Sequence, residues 1–372
     1  MQIDFHYAVT YATARLAGFT TKEAEVISYS AQFVDDAVST GLIEFKNKAM
    51  YKRSSSAHKM LDYKNFAQLA DHFTWVPFHF LPGNGGMDVG QNPDGSFIKK
   101  LVCYPNSHVA HEIVESCIKD KDKLYGLHRL GITMHVLADT FAHQGFAGVS
   151  HEINEVTEMV EGSNGDKKNL MDQVKNYFAD AFDSITNKFV NGVLPLGHGG
   201  ALSFPDLPYL KWQYKNGLGE KIKRDNTEIF MSAVKAMHLA MVRYRRTDPL
   251  YNLLPNEEIN ANDWNIIYNN FVKFNDKEGI NRNNKWLESI KKGEFSFSKT
   301  GETVPPYICD NVGSWKHQAL GIAKEDDLHS DTNAEYKPEF LNSNWKLFND
   351  ALLFHQIDVI RNILPRFGIC VA

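Results

Sequence analysis

Cysteine is scarce in this sequence of 372 residues. The four cysteines lie too far apart for a CxxC motif, at Cys103, Cys117, Cys309 and Cys370. A disulfide scaffold is not expected in so long a chain with so few cysteines, and this spacing does not fit a thiolate zinc site or a redox motif. We therefore predict free thiols with structural roles.

Strong charge and long apolar runs are also missing. The net charge is −5 with histidine neutral, so no basic surface is expected for double-stranded nucleic acid. No stretch of about 18 apolar residues is present that could span a membrane. The first residues, MQIDFHYAVTYATARLAGF, lack the basic segment and cleavage site of a signal peptide. We expect a location in the bacterial cytoplasm, or outside the cell after leaderless secretion or injection.

Apolar residues recur with a helical period along most of the chain, whereas strand-type alternation is scarce. Thr20 and Glu23 have the spacing of a capping box at the start of a helix. Helices are predicted over 4–18, 20–38, 63–73, 106–146 (two helices), 169–190, 227–246 and 344–365. With no repeat or linker, the pattern predicts a single all-α domain over residues 1–372.

Three ligand-type side chains lie on one predicted helix, in GITMHVLADTFAHQGF. His135, Asp139 and His143 are four residues apart, so they share one helix face and span about 12 Å along the axis. One metal ion could not bind all three, whereas two neighbouring ions could, with Asp139 between them. A buried carboxylate needs an opposite charge, and no Lys or Arg lies three or four residues from Asp139. We therefore favour a metal site over satisfied core side chains.

Further nitrogen and oxygen ligands are spread over the first part of the chain. The candidates outside this helix are His6, Asp35 or its neighbour Asp36, His58, the pair His151 and Glu155, and His198 with Asp206. Histidine and carboxylate ligands without thiolates are typical of zinc in hydrolytic sites. His198 lies in a glycine-rich loop, where a metal ligand and a loop cap bonded to the backbone are equally good interpretations.

The order of these residues resembles the zinc-dependent phospholipase C and S1/P1 nuclease superfamily, and most closely the phospholipases C of the Legionella and Pseudomonas type. The similarity covers roughly residues 3–160. It implies an all-helical fold with a trinuclear zinc cluster. By this resemblance the metal ligands are His6, Asp35, His58, His135, Asp139, His143, and His151 with Glu155, and His198 is an alternative outer ligand.

Two features bear on the resemblance. In that superfamily the amino group of the first mature residue also binds zinc, and here Met1 lies five residues before His6. Three residues separate Asp139 from His143, whereas five are usual. The metal site would then occupy about residues 1–215, and a helical half without assigned chemistry would occupy about 216–372.

The resemblance implies hydrolysis of a phosphodiester with two or three zinc ions per chain. Asp35 would be a ligand and also the base or orienting group for the attacking water. The first expectation is a phospholipase C that releases a phosphocholine-like headgroup from phospholipid. The alternatives are a P1-type nuclease or other phosphodiesterase, and a metal-stabilised helical interaction protein without turnover.

Substrate-binding residues are not predicted. The segment HFTWVPFHFLPGNGG, residues 72–86, places aromatics beside a Pro/Gly loop. It indicates either a peripheral membrane contact or an ordinary packed loop, and its proline and glycine content predicts that residues 76–86 are not helical.

Overall fold

The computed structural model describes residues 1–57, 68–162, 197–323 and 334–371. His58 and the helix predicted over 169–190 lie outside these residues. The structure is about 52% helix and 9% strand, so the prediction of an all-α fold is wrong. The fold is mixed, with two small antiparallel sheets in the described part of the chain.

The helices are labelled in chain order. They are α1 (Asp4–Val9 in π form, then Thr10–Leu16), α2 (Thr21–Asp36), α3 (Gln68–Phe78), α4 (Ile98–Leu101), α5 (His108–Lys119), α6 (Gly126–Ala142), α7 (Asn226–Arg246), α8 (Ala261–Lys273), α9 (Gly279–Lys291), α10 (Trp315–Leu320) and α11 (Asn344–Ile357, continued by Asp358–Ile363 in π form and Leu364–Arg366). The strands are β1 (Gly41–Glu44), β2 (Met50–Arg53), β3 (Val156–Glu161), β4 (Lys211–Asn216) and β5 (Lys221–Asp225).

Local sequence signals fix several helix ends. At the start of α2 the Thr20 side chain accepts from the Glu23 N–H, and the Glu23 carboxylate accepts from the Thr20 N–H, so the predicted capping box is confirmed. α3 includes Pro77 and ends at residue 78. The prediction that residues 76–86 are not helical is therefore wrong for the first three, where the proline lies in the last turn of the helix.

α6 lies at the centre of the core. All its residues except Leu127 are buried, and it packs against α2, α7 and α11. A Cβ atom on Gly131 would lie 2.4 Å from the Ile27 carbonyl oxygen and 2.5 Å from Ser30 Cβ. Only glycine therefore permits this close approach of α2 and α6, which brings the end of α2 next to the ligand-type residues of α6.

The sheets lie outside this helical core. β1 and β2 form a hairpin, and β3, β4 and β5 form a three-stranded antiparallel sheet in that order. Along β4 the residues alternate, with Trp212 and Tyr214 buried in a second small apolar cluster that also contains Phe80 and Phe146. The second sheet is thus packed against the chain segments on either side of His143.

The described helices give no candidate for a membrane span, because none combines sufficient length with sufficient hydropathy.

Candidate metal centre

Segments far apart in the sequence converge beside α6. Each contributes one or more ligand-type side chains to a buried cluster. The contributors are His6 on α1, Asp35 in the last turn of α2, His79 immediately after α3, His135 and Asp139 on α6, His143 at its C-cap, and His198 and Asp206 in the loop before β4. Potential ligand atoms form three combinations, two of which share His135, and within each of them all atoms lie within 4.8 Å of one another. These groups could hold metal ions.

The first ligand group consists of Asp35, His79, His135 and Asp139. His135 Nε2 lies 3.2 Å from His79 Nδ1 and 3.2 Å from Asp139 Oδ2. His79 Nδ1 lies 3.5 Å from Asp139 Oδ2, and Asp35 Oδ1 lies 3.8 Å from each of the two nitrogens. Four ligands about 2.0–2.1 Å from a tetrahedral zinc ion lie about 3.3 Å from one another. The separations among His79, His135 and Asp139 fit that arrangement, and Asp35, which also groups with His6 and His135, lies beside them at the longer distance of 3.8 Å.

The protonation of these two histidines favours a cation between them. His79 donates Nε2–H to the Ser56 carbonyl at 2.9 Å, and His135 donates Nδ1–H to the Ala31 carbonyl at 2.8 Å. In a neutral imidazole the other ring nitrogen then carries a lone pair. Two lone pairs and the Asp139 carboxylate therefore face one another, and this contact repels unless a positive charge lies within it.

The second ligand group consists of His143, His198 and Asp206. His143 donates Nδ1–H to the His79 carbonyl at 2.7 Å, and His198 donates Nδ1–H to the Leu202 carbonyl at 2.9 Å. The opposite nitrogens of these rings lie 3.7 Å and 3.6 Å from the Asp206 carboxylate oxygens. Histidines that bind metal ions are typically oriented by such a bond from the second ring nitrogen. All four histidines of the two groups donate such a bond to a backbone carbonyl.

His6 and the amino group of Met1 lie between the two groups. The Met1 nitrogen is 2.7 Å from Asp139 Oδ1 and 3.3 Å from Asp206 Oδ1, and His6 Nε2 is 3.3 Å from Asp139 Oδ1. The His6 ring stacks on His135 with a centroid separation of 3.8 Å. Among the described residues, both ring nitrogens of His6, Asp139 Oδ2 and Asp206 Oδ1 are buried without a hydrogen bond. Metal ions would satisfy the two carboxylate oxygens and the one His6 nitrogen that carries a lone pair.

Burial keeps the imidazoles of His6, His135 and His198 neutral. Burial lowers the pKa of His135 and that of His198, each to about 4. Burial, followed by repulsion from His135, lowers the pKa of His6 well below its ordinary value. Neutral rings carry the lone pairs that a metal ion requires.

The carboxylates of the cluster are shifted in opposite directions. Burial alone would raise the pKa of Asp139, but His143, the Met1 amino group and His135 hold it well below its ordinary value. Burial, and next the Asp139 carboxylate, raise the pKa of Asp35 well above its ordinary value. A divalent cation between Asp35 and Asp139 would remove that repulsion.

Asp35, and not Asp36, faces the cluster. The Asp36 carboxylate instead accepts from the Tyr307 hydroxyl at 2.6 Å and from the Gln32 amide at 3.1 Å. Asp35 is also the most exposed ligand of the first group, with 31% of its side chain accessible, against 5% or less for its partners. In the second group His198 is 21% exposed. The cluster therefore opens to solvent on the side of Asp35 and His198.

The structure does not bring His151 and Glu155 into the cluster. His151 caps a single 3₁₀ turn, Glu152–Asn154, by accepting the Ile153 N–H at its Nδ1, and Glu155 is extended and exposed. The two do not share a helical turn, so the prediction of a His-x-x-x-Glu pair is wrong. His198 and Asp206 occupy that place instead, and His198 both binds the backbone and faces the cluster.

Because His198 lies in the cluster and His151 and Glu155 do not, alanine variants of these residues should differ in their effect on bound metal. We expect His198→Ala to lower the metal affinity of the second group by more than about a hundredfold, because even residues that only support a ligand contribute 10–100-fold. His151→Ala and Glu155→Ala should leave metal content unchanged. Metal analysis of the purified variants by mass spectrometry checks this. Loss of metal in His151→Ala, with full content in His198→Ala, would contradict the assignment.

His79 is the potential ligand that sequence reasoning missed. It lies in VPFHFL, between Val76, Phe78, Phe80 and Leu81, all buried. The only available signal was a histidine with apolar neighbours on both sides, which does not distinguish a ligand from a core residue. Of the aromatics in this segment, Phe78 and Phe80 are buried, as in an ordinary packed segment, whereas Phe73 and Trp75 are partly exposed.

Comparison with known proteins gives a family but no activity. No curated protein and no solved structure matches the chain. A protein-family model described as a family of unknown function, DUF6765, matches residues 1–363, a region that includes every residue of both ligand groups. The chain therefore belongs to the DUF6765 family.

Proposed function

We propose that this protein is a zinc-dependent phosphodiester hydrolase, with phospholipid as the first substrate class to test. The observation that carries the proposal is the first ligand group, in which two imidazole lone pairs and the Asp139 carboxylate converge at 3.2–3.5 Å and the Asp35 carboxylate lies 3.8 Å from both nitrogens. The second group lies beside it, since the Met1 nitrogen is 2.7 Å from Asp139 Oδ1 and 3.3 Å from Asp206 Oδ1. Adjacent metal sites are suited to holding the attacking and leaving oxygens of one displacement.

Zinc fits the ligands better than other common divalent ions. Both groups combine imidazole nitrogen with carboxylate oxygen and contain no thiolate, which suits zinc in hydrolytic sites, whereas magnesium and calcium prefer oxygen ligands alone. His6 offers a further nitrogen ligand beside Asp139, and the Met1 amino group would offer another only after losing its proton. The expected content is two or three ions per chain.

Zinc at such sites lowers the pKa of bound water to about 7 and neutralises the oxygens of a phosphodiester. The chain's own residues then set the geometry. Asp35 and His198 lie at the solvent side and mark where substrate enters. In this proposal Asp35 would hold the attacking water, while the carbonyls of Ala31 and Ser56 keep His135 and His79 from rotating.

Phospholipid is placed first because of the resemblance to phospholipases C. A nuclease would need a basic track along the bound strand, and the net charge of −5 does not favour one. The burial of residues 76–81 removes the membrane-docking loop as support. The proposal for the substrate therefore depends on headgroup chemistry and not on an interfacial surface.

Three substrates distinguish the alternatives. The protein, loaded with zinc, is assayed on phosphatidylcholine vesicles, p-nitrophenyl phosphorylcholine and single-stranded DNA, with a chelator and with zinc restored. We expect phosphorylcholine release that stops with the chelator and returns with zinc, and no release by Asp139→Asn. Cleavage of DNA alone would favour the nuclease. Bound zinc without turnover on any of the three would favour a non-catalytic metal-stabilised protein.

A further inference from the structure

A buried arginine lies against the end of the helix that carries the cluster. Arg224, on β5, is 4% exposed. Its guanidinium donates to the Gln144 carbonyl at 3.1 Å, to the Phe141 carbonyl at 3.2 Å and to the Ala142 carbonyl at 2.6 Å. These three carbonyls lie on both sides of His143 in the sequence.

Physical chemistry explains why an arginine is needed there. The last turn of a helix leaves carbonyl groups without intrahelical partners, and burial makes an unsatisfied carbonyl costly. A planar guanidinium can donate to several of them at once, and its positive charge opposes the negative end of the helix dipole. The Arg224 guanidinium also lies 5.6 Å from the ring centre of Trp212, which favours its burial.

Asn226, two residues after Arg224, contacts the turn that carries Asp206, another member of the second ligand group. The Asn226 amide donates to the Phe204 carbonyl at 2.6 Å and to the Leu207 carbonyl at 2.8 Å, on either side of Asp206. Its side-chain oxygen accepts from Trp212 Nε1 at 3.1 Å. The junction of β5 and α7 therefore contacts both segments from which the second ligand group is built.

We propose that Arg224 is a positioning residue for the second metal ion, the one held by His143, His198 and Asp206. This inference rests on the proposed function, because it requires that the cluster binds metal. The guanidinium fixes the backbone around His143 while Asn226 fixes the turn around Asp206, so the two ligands meet at a set separation. The first ligand group takes His135 and Asp139 from within α6 and its other members from α2 and the end of α3, so it is linked to this contact only indirectly, through the bond from His143 to the His79 carbonyl.

The test compares the two metal affinities in variants of the full-length protein. Arg224→Met has similar length without donors, and Arg224→Lys keeps the charge without the planar fork. Zinc content is measured after equilibration with chelators of graded affinity. We expect the second ion to bind 10–100-fold more weakly in Arg224→Met, less so in Arg224→Lys, with the first ion unchanged. Arg129→Met is the matched control, since Arg129 is 1% exposed and pairs with Asp120 and Asp358.

A double variant separates positioning from general destabilisation. If Arg224 acts through the second ion, Arg224→Met combined with His198→Ala should hold the same zinc as His198→Ala alone. Equal weakening of both ions, no weakening of either, or the same loss in Arg129→Met would overturn the inference. Should Arg224→Met fail to fold, Arg224→Lys decides by the same criteria. A wild-type protein that binds no zinc would instead overturn the proposed function, and this inference with it.

Discussion

Replacing Asp139 with asparagine is expected to empty the first ligand group and to abolish hydrolysis. Asp139 is 1% exposed and lies within 3.6 Å of the nitrogens of five neighbours, namely Met1, His6, His79, His135 and His143. Asparagine keeps the shape but removes the charge, and it presents an amide donor where a cation requires a lone pair. The metal affinity should fall by more than about a hundredfold, because loss of a ligand costs more than loss of its support.

The measurement is zinc content together with turnover, and circular dichroism serves as the control for folding. Because asparagine is isosteric with aspartate, α6 should keep its helical signal. Asp36→Asn is the matched control, since that carboxylate is held by Tyr307 and Gln32 outside both ligand groups. An Asp139→Asn protein with full zinc and full turnover would show that this helix does not carry the site.

Removing the metal is expected to lower the thermal stability strongly. The Asp35 and Asp139 carboxylates repel each other in a largely buried space with facing imidazole lone pairs, and a bound cation would relieve that repulsion. A ligand present at 1,000 times its dissociation constant stabilises the folded state by about 4.1 kcal/mol per site. The expected fall in melting temperature on chelation is on the order of 10 °C.

Scanning calorimetry with and without a chelator measures this fall. The double variant Asp139→Asn with His198→Ala provides the control, because it should melt at the same temperature in both conditions. Identical melting of wild-type protein with and without chelator, after metal analysis has shown that the chelator removed the zinc, would contradict the stabilising role.

The helices can be predicted from local sequence signals, whereas the strands cannot. The capping box at Thr20 and the periodicity of 227–246 predict their helices well. β4 and β5 have a signal in KWQYKNGLGEKIKRD, residues 211–225, with alternating apolar residues before a glycine-containing turn. That signal covers only five or six residues per strand. The strands are further stabilised by the contact of Trp212 with Arg224 and Asn226, which no local sequence pattern encodes.

The candidate site was predictable where its ligands share one helix. His135, Asp139 and His143 are fixed by a spacing of four, and the structure places all three in the cluster. His79 and the choice of Asp206 over Glu155 depend on which loops reach α6, and this is a long-range property. Asp35 and Asp36 are adjacent in the sequence, so only the position of Tyr307, 271 residues away, distinguishes them.

The most direct test of the central claim is anomalous diffraction at the zinc edge from crystals of zinc-loaded protein, with data below the edge as the control. We expect one peak about 2.0–2.2 Å from ligand atoms of Asp35, His79, His135 and Asp139, and another among His143, His198 and Asp206. Zinc-loaded crystals without a peak at the first of these positions would contradict the account.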